Sequence, residues 1–382
     1  MRVEQLFGAA LEQSTQTRYG GAVKKLARFL MAVGMAEGEL PSGMTQGKAS
    51  PKVLGILVTS DTVMGGFLAY QATWKYAWGT ASGDISALRS RAVGSGIAPL
   101  PPMSKYLSRV LAGYKKLFPP GTGALPLPRG IWQDMLGLLQ EATGTGEEST
   151  EIVKTSIMAS ALLTIAFSAC LRSGEYTGKS LRWSDVALSK GAKRLHDELA
   201  NSNCAAQGGE GLMREKGEAR KWKGVAIRLR LRHTKASPTR PVDVVLFPSK
   251  DAKAPCPVSS LLAHAYATGA KVGEGKDPVF AIKSGEGVRA VDRKWVAGKL
   301  KGLAKLAGVK PHLLKRLKPH SLRKGGATAA SLGGASEEEI KALGRWKSDA
   351  VRVYVHSTQA KMKAAQKALV TAGAGHHERT LA

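Results

Sequence analysis

The stretch GVAIRLRLRHTK, residues 224 to 235, alternates two kinds of side chain: Val225, Ile227, Leu229 and Leu231 are apolar, and Ala226, Arg228, Arg230 and Arg232 stand between them. A period of two sends neighbouring side chains to opposite faces of an extended chain, so the stretch is predicted to be a strand with one core face and one arginine face. A turn, ASPTR (236 to 240), leads into PVDVVLF (241 to 247), and the pair makes a hairpin with Lys235 at its tip. Lys223 and Arg240, at either end of the same hairpin, are the alternative cations.

Around this hairpin the pattern is helical. Tyr19, Val23, Leu26, Phe29, Leu30 and Val33 recur at helical spacing between Ser14 and Gly34, with Lys24, Lys25 and Arg28 on the other face. A Gly/Ser/Pro-rich loop at 38 to 52 precedes mainly helical patterns to about residue 117, which carry Arg89, Arg91, Lys105, Lys115 and Lys116. FPPGTGALPLPRG, 118 to 130, cannot continue a helix and reads as a linker. A long helix is expected over about 149 to 171, and helical patterns resume after 290. Residues 188 to 222 are charged, Gly-rich and weakly periodic, an insertion or mobile loop. The fold class is therefore mainly α with a small antiparallel β-sheet or hairpin. A helical domain at 1–117 and a linker at 118–130 lead to a second domain at 131–382, with a tail from 356. Met362, Ala365 and Leu369 give that tail an apolar stripe, expected to dock on a neighbouring subunit.

The chain has 382 residues, and Lys+Arg 57 against Asp+Glu 29 leaves a formal net charge of +28. So large an excess selects a polyanionic partner, nucleic acid first. The basic residues are spread out and no lipidation motif is present, which argues against a membrane surface. SIMASALLTIAFSACL, 156 to 171, is interrupted by Ser and Thr and reads as a buried core helix. Cys170, Cys204 and Cys256 form no metal-ligand spacing, so a reduced, intracellular chain without metal is expected. The N-terminus lacks the apolar core of a secretory signal. His376 and His377 read as a solvated tail.

Four polar clusters stand in the second half: Arg172 with Glu175, Lys235, His320 with Arg323 in HSLR, and Trp346 with Tyr354. Together they suit attack on a phosphodiester. A guanidinium presents a planar donor fork matched to two phosphate oxygens, so Arg172 and Arg323 form a clamp. A tyrosine is mostly protonated at neutral pH, and His320, three residues from Arg323 and on the same side of a helix, is the base it needs. Lys235 brings a proton to the leaving oxygen. Trp346 offers an indole N–H to a phosphate oxygen and a ring that seats the Tyr354 segment.

This ordered set resembles that of the tyrosine recombinase (phage integrase) family. ACLRSGE, LRWSDV, PHSLRKGGATAA and IKALGRWKSDA carry the likeness. The GRWKSDA form is most similar to recombinases of Crypton and DIRS-type mobile elements. The resemblance covers about 150 to 360; the first 117 residues match only as a helical, basic, core-binding domain. It implies a C-terminal tyrosine recombinase catalytic domain that works without metal, ATP or another cofactor. Tyr354 would form a 3′-phosphotyrosine link, and strand exchange would proceed in a homo-tetramer on double-stranded DNA clamped between the domains. Catalytic roles carry over to Arg172, Lys235, His320, Arg323, Trp346 and Tyr354, with Glu175 as orienting carboxylate. DNA contacts are expected from Lys24, Lys25, Arg28, Arg89, Arg91, Arg228, Arg230 and Arg232. The protein would act on chromosomal DNA, in the nucleus if the host is eukaryotic. Three departures stand out: Trp346 lies eight residues before Tyr354, one fewer than in the best-known members; two extra residues follow Arg172 before LRW; and the charged stretch before the hairpin is long.

Each residue also has a plainer reading. Tyr354 and Trp346 can pack in a core, Arg172 and Glu175 can be an ordinary helix-end ion pair, and one HxxR arises easily in an Arg-rich chain. The joint pattern favours the recombinase over a silent DNA-binding descendant, a type IB topoisomerase-like enzyme or a basic RNA-binding protein. The SEEE run, Ser336 to Glu339, is predicted to open a helix as a capping box.

Overall fold

The computed structural model describes residues 13–93, 100–119, 123–144, 150–178, 180–201, 222, 224–232, 234, 237, 240–249, 254–284 and 287–354. The chain forms two compact units, Met1–Gly123 and Ala124–Ala382, and the described parts are mainly helical with small antiparallel sheets.

The first unit holds α1 (Gln13–Ala32), α2 (Pro51–Thr59), α3 (Asp61–Thr73), α4 (Trp78–Val93) and α5 (Lys105–Leu117). Serines start three of them: Ser50, Ser60 and Ser104 each accept a backbone N–H of the first turn, from Val53, Val63 and Leu107. Val23, Leu26, Leu30, Leu54, Phe67 and Leu88 fill the core. Inside it, Asp84 is 4% exposed and accepts from Lys25 Nζ at 2.7 Å and Gln71 Nε2 at 2.8 Å.

In the second unit, α6 (Arg129–Gly144) packs on α7 (Thr150–Ser168), with the Trp132 and Phe167 rings stacked at 4.3 Å. Length and apolarity alone would let the Glu151–Ser168 stretch of α7 cross a membrane, yet Met158, Ala161, Leu162, Leu163, Ile165 and Ala166 are buried in the core of this unit. After the short α8 (Ser173–Tyr176) comes β1 (Val186–Leu188), then α9 (Lys190–Asn201). This helix corrects the reading of 188–222 as wholly an insertion. Ala192 and Leu195 are buried one turn apart while charged residues face out, an amphipathic pattern masked in sequence by its high charge. Residues 202–221 lie outside the described residues.

The strand at 224–235 runs as β2 (Ile227–Leu231) and pairs with β3 (Val242–Leu246), Leu229 opposite Val244 and Arg230 opposite Asp243. Ile227, Leu229 and Leu231 are buried while Arg228 and Arg230 are exposed. The hairpin is one part of a three-stranded antiparallel sheet, because β1 adds to the free edge of β2 with Val186 opposite Leu229. Beyond α10 (Pro257–Thr268), β4 (Ala281–Ser284) and β5 (Gly287–Ala290) form a second, separate hairpin ahead of α11 (Arg293–Leu306), α12 (Pro311–Leu314), α13 (His320–Leu332) and α14 (Glu337–Gly344). Ser336 and Glu339 form the expected capping box. A 3-10 helix, Asp349–Tyr354, follows, anchored by buried Val351 against Cys170, Ala327 and Ile340.

Candidate active site

Two helix ends build the site. α7 stops at Ser168, three residues sooner than the apolar run suggests, because Cys170 turns left-handed (φ 47°) and Leu171 N–H closes on Ala166 O at 3.0 Å. α14 stops in the same manner, with Arg345 at φ 57° and Trp346 N–H on Lys341 O at 3.0 Å. A non-glycine residue in this conformation costs about 1–2 kcal/mol. Such strain collects where the local geometry is used.

Here it turns the last carbonyls of two helices, the negative ends of their dipoles, toward arginines. Arg323 Nη1 donates to Cys170 O and its Nη2 to Gly344 O, each at 2.5 Å. Arg172 Nη2 donates to Arg345 O at 3.3 Å. The two guanidiniums thus converge on neighbouring carbonyls at the root of the segment that carries Tyr354. Glu175, 3% exposed, accepts from Arg172 Nη1 at 2.9 Å and Arg172 N–H at 2.8 Å, and from Arg345 Nη2 at 2.8 Å. Arg172 stands just ahead of α8 rather than on the long helix, so Glu175 fixes its backbone as well as its side chain.

Arg323 is 1% exposed, and the Trp346 ring lies 3.9 Å from its guanidinium carbon. Residue 344 must be glycine, since a Cβ there would meet the Trp346 ring. Gly325 and Gly326 allow α13 to approach backbone just as closely: their Cβ positions fall on Leu127 O and Phe167 O. That approach seats Arg323 under the end of α7. Burial, then repulsion from Arg172 and Arg345, pushes the Arg323 pKa down to about 10, so it stays charged at neutral pH. His320 opens α13 three residues before Arg323. Its side chain reaches solvent, but loss of water around the ring, followed by Arg323, Lys324 and Arg172, lowers its pKa from the usual value. A neutral imidazole is the form that accepts a proton.

The structure brings Arg172, Glu175, His320, Arg323 and Trp346 together. Lys235 and its alternative Lys223 lie outside the described residues, while Arg240 is exposed. Tyr354 closes the 3-10 helix, and its side chain lies outside the described residues, as does the tail from 355. Among the expected DNA contacts, Lys24, Arg28, Arg228 and Arg230 are exposed. Arg228 and Arg230 flank Asp243 at 3.7 and 3.5 Å. Two others have close carboxylate partners inside the protein. Lys25 is the counter-ion of buried Asp84. Arg232 lies just past the end of β2, where the alternation no longer holds it outward, and donates to Asp185 Oδ1 at 2.7 Å and Ser184 Oγ at 3.1 Å. Arg89 is half-buried and donates to Pro101 O, and Arg91 is half-buried with its pKa lowered by burial.

Sequence reasoning missed Arg345. By the spacing that the tyrosine recombinase resemblance implies, the position nine residues before Tyr354 is Arg345, not Trp346.

No protein-family model and no curated protein matches the chain. Solved structures are similar at low identity. XerA recombinase shares 15% identity over 98% of this chain and 97% of its own, with a TM-score of 0.36. The Tn1549 transposon integrase in complex with transposon right-end DNA shares 13% over 97% and 100%, with a TM-score of 0.49. XerH recombinase bound to palindromic difH substrate, a post-cleavage complex, shares 13% over 94% and 98%, with a TM-score of 0.48. Superpositions this loose carry no weight for the chemistry, which has to be read from the side chains.

Proposed function

We propose that the protein cleaves and rejoins double-stranded DNA through a covalent link to Tyr354, as a recombinase of the tyrosine type. The observation that carries this reading is the convergence of Arg172 and Arg323 on the neighbouring carbonyls of Arg345 and Gly344, nine and ten residues before Tyr354. Three guanidiniums face one carboxylate there, so the cluster has positive charge to offer an anion. In the mechanism, Arg172 and Arg323 hold the two non-bridging oxygens, each donor contributing about 100-fold to the rate. His320, neutral at working pH, takes the phenol proton as Tyr354 Oη attacks phosphorus. The bond to the 5′ oxygen breaks, Lys235 supplies its proton, and a 3′-phosphotyrosine and a 5′-hydroxyl result. Attack by a 5′-hydroxyl reverses these steps, so the bond energy is conserved. Exposed Lys24, Arg28, Arg228 and Arg230 hold the backbone, and exchange takes place in a tetramer; kinship with Crypton and DIRS-type recombinases is part of the same proposal.

A second reading, a DNA-holding module without chemistry, draws support from the cover of Trp346 over Arg323, since a phosphate reaches that guanidinium only when the ring moves aside. Incubation with randomised nicked duplexes separates the two readings. A denaturation-resistant protein–DNA adduct, absent in Tyr354→Phe, supports cleavage, and sequencing the captured DNA gives the site. Tight binding with no adduct supports the module.

A further inference from the structure

We propose that Arg345 is a positioning residue: its guanidinium is the counter-ion of Glu175 and leaves the charge of Arg172 free for a phosphate. The inference rests on the phosphodiester reading above.

Glu175 is needed geometrically, because its two oxygens hold the backbone N–H and Nη1 of Arg172. Acting alone, that carboxylate would cancel the cation it orients, and in a poorly hydrated place the cancellation is strong. Arg345 removes the conflict. It donates to Glu175 Oε2 at 2.8 Å with only 12% of its side chain exposed, so the attraction is little screened. Its Nη1 and Nη2 also donate to Leu343 O at 3.0 Å, Ala169 O at 3.3 Å and Cys170 O at 3.5 Å. The guanidinium is thus turned into the protein, tying the end of α14 to the end of α7. Arg345 keeps this place despite a left-handed backbone and a buried Nε with no hydrogen-bond partner among the described residues. Both are costs that an ordinary packing residue would avoid. With Arg345 and Glu175 forming a neutral pair, Arg172 and Arg323 keep two positive charges for a phosphate whose own charge grows during attack.

Single-turnover adduct formation on the captured, nicked duplex tests this. Arg345→Met is expected to lower the maximal rate about 10- to 100-fold, as loss of the outer partner of a metal ligand does, with little change in the DNA concentration giving half-maximal rate. Adding Glu175→Gln to Arg345→Met is expected to restore part of that rate, because the amide oxygen still accepts one of the two Arg172 N–H groups without cancelling the Arg172 charge. Arg345→Lys, which keeps the cation, is expected to stay faster than Arg345→Met. Circular dichroism checks folding; if Arg345→Met unfolds, Arg345→Gln takes its place with the same expectation. Adduct formation by Arg345→Met at the wild-type rate, or a double variant no faster than the single, overturns the inference alone. A wild-type chain forming no adduct on any duplex removes the phosphodiester reading and the inference with it.

Discussion

Each unit of the protein buries an acidic side chain among basic partners, and the two clusters differ in their balance. In the first unit, Asp84 meets one cation, Lys25, and one amide, Gln71. The charges cancel, so the cluster needs nothing from outside. In the second unit, Glu175 meets Arg172 and Arg345, and Arg323 adds a third guanidinium. Three cations against one carboxylate leave a surplus of two. Folding alone gives no reason to gather like charges in a poorly hydrated place, because each carries a desolvation cost. The protein meets part of that cost with the carbonyl ends of two helices. What remains is a surplus of positive charge, which the proposed function assigns to a phosphate.

Breaking each cluster should have opposite consequences. Arg172→Ala is expected to lower the adduct rate about 100-fold or more, since it removes a donor aimed at developing charge, with a small change in melting temperature. His320→Gln should slow cleavage about 100-fold and abolish the acid limb of the pH–rate profile. That limb belongs below the ordinary histidine range, because the His320 pKa is lowered and the neutral base persists to more acid pH; an inflection above it would contradict the assignment.

His264 sharpens the comparison from the neutral side. It is 1% exposed between Trp183 and Phe280, with Nε2 2.6 Å from Val279 O, and burial pushes its pKa down to about 4. The unfolded chain binds this proton first, so stability is full above the unfolded pKa of about 6.5 and falls by roughly 3 kcal/mol as the pH drops toward 4. Denaturant titrations across that range should show the loss, and His264→Phe should flatten it. Lys25→Met should destabilise by about 2 kcal/mol, by leaving Asp84 without its cation, and leave cleavage per folded molecule unchanged. The smallest effect belongs to Arg228→Ala or Arg230→Ala, each expected to reduce the salt dependence of DNA binding by about 0.9 in log–log slope.

Local patterns were legible and distant partners were not. The β2 alternation, the first helix, the Ser336 capping box and the one-turn spacing of His320 and Arg323 all follow from neighbours within a few residues. Lys25 looked like a surface cation because its partner lies 59 residues away. Arg232 was assigned by alternation, and the strand ends one residue before it. β1 has three residues, too few for a period to show, and α9 hid in a charged, Gly-rich stretch. In the site, residue types singled out Arg172, Glu175 and Arg323 but not their partner Arg345. Arg345 is one arginine among many until the left-handed turn after Gly344 aims it at Glu175.

The structure of Tyr354→Phe bound to an intact duplex carrying the captured site tests the central claim most directly. The account predicts one phosphate within hydrogen-bond distance of both Arg172 and Arg323, the Trp346 ring displaced from over Arg323, and residue 354 facing that phosphorus. A bound duplex whose phosphates meet other basic residues, with Arg323 still covered and the Arg172–Arg323 pair empty, would contradict it.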